Sequence, residues 1–172
     1  VIEDADNDGV AEKATSLIEK LDSPHGMAII CNSVGNPPCH LYVAEHDELS
    51  RYTYDAENIK VTDYTKLLDL PKSVGDRHST RTLLHHGDSL LLSVGSSCNV
   101  CEESDELRGK IISYNIETKE TSEFATGLRN AVFMTKHPVD GNIWLTEMGR
   151  DGLGDNIPPD EINVIDINFK GV

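Results

Sequence analysis

His78 and Arg129 stand at matching points of two similar stretches about fifty residues apart. Between them they can move a proton and hold an anion. Histidine titrates near neutrality, so His78 can accept a proton from a reacting group. It lies in the run Asp76-Arg77-His78-Ser79-Thr80-Arg81, just ahead of a strand whose apolar residues begin at Leu83. Arg129, in Gly127-Leu128-Arg129-Asn130, keeps its charge at any working pH and offers five donors in a rigid fork. Beside a histidine it can polarise a carbonyl or hold a carboxylate. Each residue also has a plainer reading: a histidine hydrogen-bonded for packing, and an arginine bonded to loop carbonyls.

Two further groups carry metal or redox chemistry. Asp4, Asp6 and Asp8 precede Gly9 at positions one, three and five of a calcium-type loop, with Glu12 at position nine. Thr15 occupies the twelfth position, where an EF-hand needs glutamate. The alternatives are an isolated structural Ca²⁺ loop and an exposed acidic turn. Four cysteines fall as Cys31/Cys39 and Cys98/Cys101, which permits three pairings. Short loops favour Cys31–Cys39 and Cys98–Cys101 disulfides, and with them an oxidising compartment, periplasmic or extracellular. Free thiols and a four-thiolate zinc site are the rivals, although seven residues between Cys31 and Cys39 suit zinc poorly. The acidic run from Glu102 to Glu106 argues against a reactive thiol at Cys98 or Cys101. No serine nucleophile elbow, glycine-rich nucleotide fingerprint or His-Glu-x-x-His occurs.

The elements that must position these residues repeat. His25, His78 and Arg129 each open a segment of strand, tight turn, strand, loop and strand. The second strands run Leu41 to Glu45, Leu90 to Gly95 and Ile143 to Glu147, and the third strands begin at Leu49, Lys110 and Glu161. Asp88 and Asp140-Gly141 supply hairpin turns. Residues 60–76 read as a long connection with one short strand. Short strands repeating at this period predict an all-β fold of β-propeller blades, with innermost strands around a channel where His25, His78 and Arg129 meet. Six such blades need roughly 300 residues, and the chain has 172. The expectation is therefore about half a propeller: residues 1–172 as part of one domain, three to four blades, with the remainder of the same propeller as its first partner. Residues 95–109 and 148–160 lack hydrophobic runs and read as long loops of the kind that carry binding groups.

Thirty acidic against fifteen basic residues give a net charge of −15. That sign excludes a nucleic-acid partner. No apolar run is long enough for a membrane-spanning helix.

Four runs together carry a family resemblance: His78 to Arg81, Val94 to Ser104, Ala125 to Asn130, and Gly149 to Asn163. They resemble the glucose/sorbosone dehydrogenase family, and more narrowly its L-sorbosone dehydrogenase-like branch. The likeness covers nearly the whole chain. It implies a six-bladed propeller and an oxidoreductase that uses pyrroloquinoline quinone (PQQ) and Ca²⁺. The substrate would be a sugar or a sugar-derived aldehyde or alcohol, and an electron acceptor would complete the turnover. By the resemblance His78 is the catalytic base, Arg129 contacts the quinone oxygens, and Asn130 lies beside it. The backbone carbonyls of Gly149 and Arg150 match those that hold the cofactor's calcium. Met148 stands where the family pattern commonly has a polar amide, and thioether is a poor substitute for one. That departure leaves a second reading: a non-catalytic propeller that binds a sugar or a protein partner.

Overall fold

The computed structural model describes residues 1–33, 36–72 and 77–168. Among them all regular structure is β. A small hairpin pairs β1 (Ile2–Glu3) with β2 (Lys13–Ala14). The first large sheet is β3 (Gly26–Ser33), β4 (Asn36–Ala44), β5 (Glu48–Asp55) and β6 (Lys60–Asp69). The second is β7 (Leu83–His86), β8 (Ser89–Val94), β9 (Lys110–Asn115) and β10 (Thr121–Ala125). A third sheet has three strands, β11 (Ala131–Lys136), β12 (Ile143–Glu147) and β13 (Glu161–Ile165). Every pairing is antiparallel between sequence neighbours. Two four-stranded blades and the start of a third are thus laid side by side.

Side chains alternate across a strand, so the burial pattern shows which sheets are covered on both faces. In β8 the whole run Leu90 to Val94 is buried. Leu90, Leu92 and Val94 join Tyr42, Ala44 and Leu49 of the first blade in one core. Leu91 and Ile111 join Ala131, Met134, Ile143 and Leu145 of the third sheet in another. The second blade is therefore sandwiched between its neighbours. β12 instead alternates, with Ile143, Leu145 and Glu147 buried and Trp144 and Thr146 exposed. Phe133, Trp144, Ile162 and Val164 lie exposed on the outer face of that sheet.

β7 lies between β3 and β11, which makes these three the innermost strands. The first contact is tight. A Cβ on Gly26 would fall 2.3 Å from the carbonyl oxygen of Arg81 and 2.6 Å from the amide of Leu83. Only glycine lets the two backbones meet there.

The sequence reading needs one correction. Lys60–Asp69 is a ten-residue outer strand rather than a connection with one short strand. Its residues are mostly exposed and its register is broken by irregularities against β5, so no clean alternation marks it. The two disulfides form as expected, Cys31–Cys39 as a directly paired cross-strand couple and Cys98–Cys101 within the loop after β8. With all four sulfurs so engaged, the zinc and free-thiol readings fall away.

Candidate functional site

His78 and Arg129 meet as the repeat predicts. With Arg77, Asn99, Met148 and Asp151 they line one cleft of about 340 Å³. His25 does not join them. It lines a separate groove with Leu17, Ile18, Leu21 and Met27. Asp76 lies outside the described residues.

The imidazole is held from one side. Nδ1 of His78 lies 2.9 Å from the carbonyl oxygen of Ser96 and 3.0 Å from its hydroxyl. A carbonyl can only accept, so Nδ1 carries the hydrogen and Nε2 presents a lone pair. The Ser96 hydroxyl donates onward to the carbonyl of Cys98 at 2.8 Å, which leaves its oxygen free to accept. Partial burial pushes the His78 pKa below its ordinary value. The bond to Ser96 and the charge of Asp151 oppose that fall, while Arg129 and Arg77 reinforce it. The net direction favours the neutral ring, the form that serves as a base.

The backbone under the ring is unusual. His78 has a φ of 50°, in the left-handed region. Arg81, fully buried, donates to the carbonyl of His78 at 2.8 Å, to that of Thr80 at 3.0 Å and to that of Pro71 at 2.9 Å. Arg108 reaches the same Pro71 carbonyl at 2.9 Å and that of Gly95 at 3.2 Å. Burial, then the neighbouring Arg108, brings the Arg81 pKa down to about 10. Arg81 thus pins the turn that presents His78, and Arg108 ties the Pro71 and Gly95 carbonyls beside it.

Arg129 is equally constrained. Its Nε donates to the carbonyl of Asn99 at 3.0 Å, and Nη2 to Asn99 Oδ1 at 2.9 Å and to Asp151 Oδ2 at 2.8 Å. Nη1 reaches the carbonyl of Met148 at 3.3 Å. Of five N–H donors one has no partner among the described residues, on Nη1. The Arg129 amide, with that of Asn130, donates to Glu147 Oε1 at 2.6 and 2.7 Å. Burial pushes the Glu147 carboxyl above the usual carboxylate range, and its Oε2 has no hydrogen-bond partner among the described residues.

The remaining expected site residues sit around this cleft. Asn130, 4% exposed, lies beneath it and turns its amide nitrogen to the Met148 sulfur at 3.3 Å. Gly149 and Arg150 follow Met148 on the loop, with the Gly149 amide tied to Asp160 at 2.8 Å. Among the described residues, neither the Gly149 nor the Arg150 carbonyl accepts a protein hydrogen bond. Asp4, Asp6, Asp8 and Glu12 form a different cluster, on the turn of the β1–β2 hairpin, with one oxygen of each within 4.8 Å of the others. The sequence reading missed Ser96, Asn99 and Asp151. All three lie inside the runs that carry the resemblance, but their residue types alone name no role; the spatial closure of loops 95–109 and 148–160 brings them to Arg129 and His78.

Propeller blades with a histidine–arginine cleft at the heads of adjacent inner strands define a sheet-built scaffold of the six-bladed kind. The chain belongs to the TrAA12-like family, whose sequence profile matches residues 1–168. It is 35% identical over 140 residues to an uncharacterised protein of Borreliella burgdorferi, covering 73% of this chain and 36% of the relative. It is 26% identical over 189 aligned positions to a pyrroloquinoline quinone-dependent sugar dehydrogenase of Hypocrea jecorina, covering 97% of this chain and 43% of the relative. The calcium structure of Trichoderma reesei Carbohydrate-Active Enzymes family AA12 matches with a TM-score of 0.77 and 23% identity, over 95% of this chain and 45% of that one. The holo form of the pyranose dehydrogenase PQQ domain from Coprinopsis cinerea matches with a TM-score of 0.71 and 20% identity, over 93% and 41%. The chain spans less than half the length of each of these relatives.

Proposed function

We propose that this chain is part of a PQQ-dependent oxidoreductase that oxidises a sugar, or a sugar-derived aldehyde or alcohol, by hydride transfer. The observation that carries the reading is the cleft in which a neutral, Nδ1-protonated His78 and a fixed Arg129 face one space. The donor set suits the cofactor. Arg129 keeps one N–H for a quinone oxygen or carboxylate, and the unpaired carbonyls of Gly149 and Arg150 are hard oxygen ligands of the kind Ca²⁺ takes. When bound, PQQ with its calcium supplies the two-electron acceptor. His78 Nε2 takes the substrate hydroxyl proton, and Ser96 keeps the ring in the tautomer that can do so. Arg129 stabilises negative charge that develops opposite it. Asn130 supports the site from below through Met148. An electron acceptor would complete the turnover.

The proposal extends to the domain. Residues 1–172 form part of a single propeller, and the exposed Phe133, Trp144, Ile162 and Val164 are the face on which its next blade packs. Two disulfides support a periplasmic or extracellular location.

The test is calorimetric titration of the full-length protein with PQQ and Ca²⁺, followed by dye reduction with aldoses and sorbosone-like substrates. Loss of a positioned base costs about 10²–10⁴-fold in rate, so His78→Ala should lose turnover to that degree and still bind PQQ. Absence of binding at micromolar PQQ would sink the reading. It would favour the second one, a non-catalytic binding propeller, which rests on the Met148 thioether in the cleft wall.

A further inference from the structure

Asn99 is the middle of a covalent ring. The Cys98–Cys101 disulfide closes around Asn99 and Val100. From that ring Asn99 makes four hydrogen bonds to the other half of the cleft. Its carbonyl and Oδ1 accept from Arg129 Nε and Nη2, at 3.0 and 2.9 Å. Oδ1 also accepts the Asp151 amide at 2.8 Å, and Nδ2 donates to the Asp151 carbonyl at 2.9 Å. Asp151, so held, takes the second Nη2 hydrogen of Arg129 at 2.8 Å. One asparagine therefore fixes a guanidinium in two dimensions and ties loop 95–109 to loop 148–160. The ring is anchored to the histidine as well, because the Cys98 carbonyl accepts the Ser96 hydroxyl.

We propose that Asn99 is the positioning residue of the cleft, and that the Cys98–Cys101 bond makes it so. A surface loop pays conformational entropy to hold a side chain still. A ring of four residues removes most of that freedom before any ligand arrives, and the ligand then meets a pre-set arginine. The acidic residues after Cys101 do not compete for Arg129: Glu103 is turned to the Ser97 amide at 2.8 Å. The inference rests on the reading of Arg129 as a ligand-binding group, but the geometry it asserts is independent of which ligand binds.

The test uses the full-length protein and two readouts. The first needs no cofactor: the rate at which phenylglyoxal modifies Arg129, followed by peptide mass spectrometry, with exposed Arg77 and Arg150 as internal references. Loss of a charged hydrogen bond is worth about a tenfold change in such an equilibrium, so Asn99→Ala should expose Arg129 and speed its modification about tenfold. Asn99→Asp keeps both oxygens that Arg129 uses and should restore slow modification. Cys98→Ser/Cys101→Ser should behave like Asn99→Ala. So should the wild type treated with a phosphine, which becomes its oxide as the S–S bond opens to two thiols with one water consumed. The second readout is PQQ affinity, expected to fall about tenfold in Asn99→Ala with kcat at saturating cofactor less affected. Equal Arg129 modification in wild type, Asn99→Ala and the double serine variant, all folded by circular dichroism, overturns the inference. Faster modification in a protein that binds no PQQ upholds it and refutes only the proposed function.

Discussion

Ser96 holds both members of the cleft: its carbonyl receives Nδ1 of His78 at 2.9 Å and its amide donates to the carbonyl of Arg129 at 2.7 Å. One residue after Gly95 thus sets the tautomer of the base and the position of the arginine just ahead of β11. The base is useful only when neutral, and three charged groups bear on it: Arg129, Arg77 and Asp151. Burial lowers the His78 pKa first and the two arginines lower it further, so the ring stays neutral somewhat below the ordinary histidine value near 6.5. The acid limb of kcat/KM should fall below that pH, with activity rising as pH increases through it. Arg129→Gln should raise the His78 pKa and Asp151→Asn should lower it, read from the Cε1 proton of His78 by NMR. Movement in the opposite sense for either variant would show that the charges named do not govern the ring.

Gly95→Ala is a test of space rather than charge. A Cβ there would lie 2.5 Å from Asn130 Oδ1 and 2.7 Å from His78 Cβ. Neither neighbour can retreat cheaply: Asn130 is 4% exposed, and the His78 turn is pinned by Arg81. Overpacking of this kind costs about 1–3 kcal/mol. Thermal unfolding should drop by several degrees, and the histidine should lose its bond to Ser96, visible as an upfield-shifted or exchange-broadened Nδ1 proton. An unchanged melting temperature would mean that the blade edge relaxes more easily than its packing implies.

The parts of this molecule that the sequence made legible were those with local signatures. Lys110–Asn115 and Ile143–Glu147 read as strands because Ile111, Ile112 and Tyr114, and Ile143 and Leu145, mark buried positions in short runs. His78 and Arg129 were legible because the repeat puts each just ahead of an inner strand, although the same argument placed His25 with them and it lines a different groove. Lys60–Asp69 was not, since its packed residues Val61, Leu67 and Leu68 fall on no regular alternation among Lys60, Thr62, Asp63 and Thr65, and its register against β5 is irregular. Ser96, Asn99 and Asp151 were not legible for another reason. Their function lies in backbone carbonyls and amides as much as in side chains, and those become partners only after two loops distant in sequence have closed.

Glu147 should matter to stability and to Arg129 together. Its Oε1 takes the amides of both Arg129 and Asn130, and Glu45 plays the same part at the end of β4, accepting the Asp22 amide at 2.6 Å. In the second blade the matching position is Gly95, and there the space is given to His78 and Asn130. Glu147→Ala leaves two amides without an acceptor, and an unsatisfied buried donor costs about 1–3 kcal/mol. Urea unfolding of the full-length protein should show a loss of about 2–6 kcal/mol for the two amides together. Glu147→Gln keeps an oxygen in place and should lose much less. Equal losses in the two variants would assign the effect to charge instead of to the paired amides.

The hairpin turn of residues 4–12 should bind Ca²⁺ in the absence of any cofactor. Four backbone amides hold its carboxylates in place: Ala5 on Glu12 at 2.7 Å, Gly9 on Asp4 at 3.0 Å, Asp8 on Asp6 at 3.2 Å and Val10 on Asp8 at 2.7 Å. The second oxygen of Asp4 is buried and has no hydrogen-bond partner among the described residues. Converging carboxylates repel one another, and a hard cation with oxygen ligands relieves that repulsion. Because β1 pairs with β2 through Ile2–Ala14 and Glu3–Lys13, an ion in the turn should also tighten the hairpin. Calcium titration of cofactor-free, full-length protein should reveal a site with a dissociation constant of about 10⁻⁴–10⁻³ M, the range of extracellular calcium modules. Asp6→Asn should weaken it about tenfold, since one charged ligand is removed from a flexible loop. Amide exchange at Lys13 and Ala14 should slow on adding Ca²⁺ to the wild type and not to Asp6→Asn. The absence of any heat or exchange change at several millimolar Ca²⁺ would leave the loop as an exposed acidic turn, the other reading its sequence allowed.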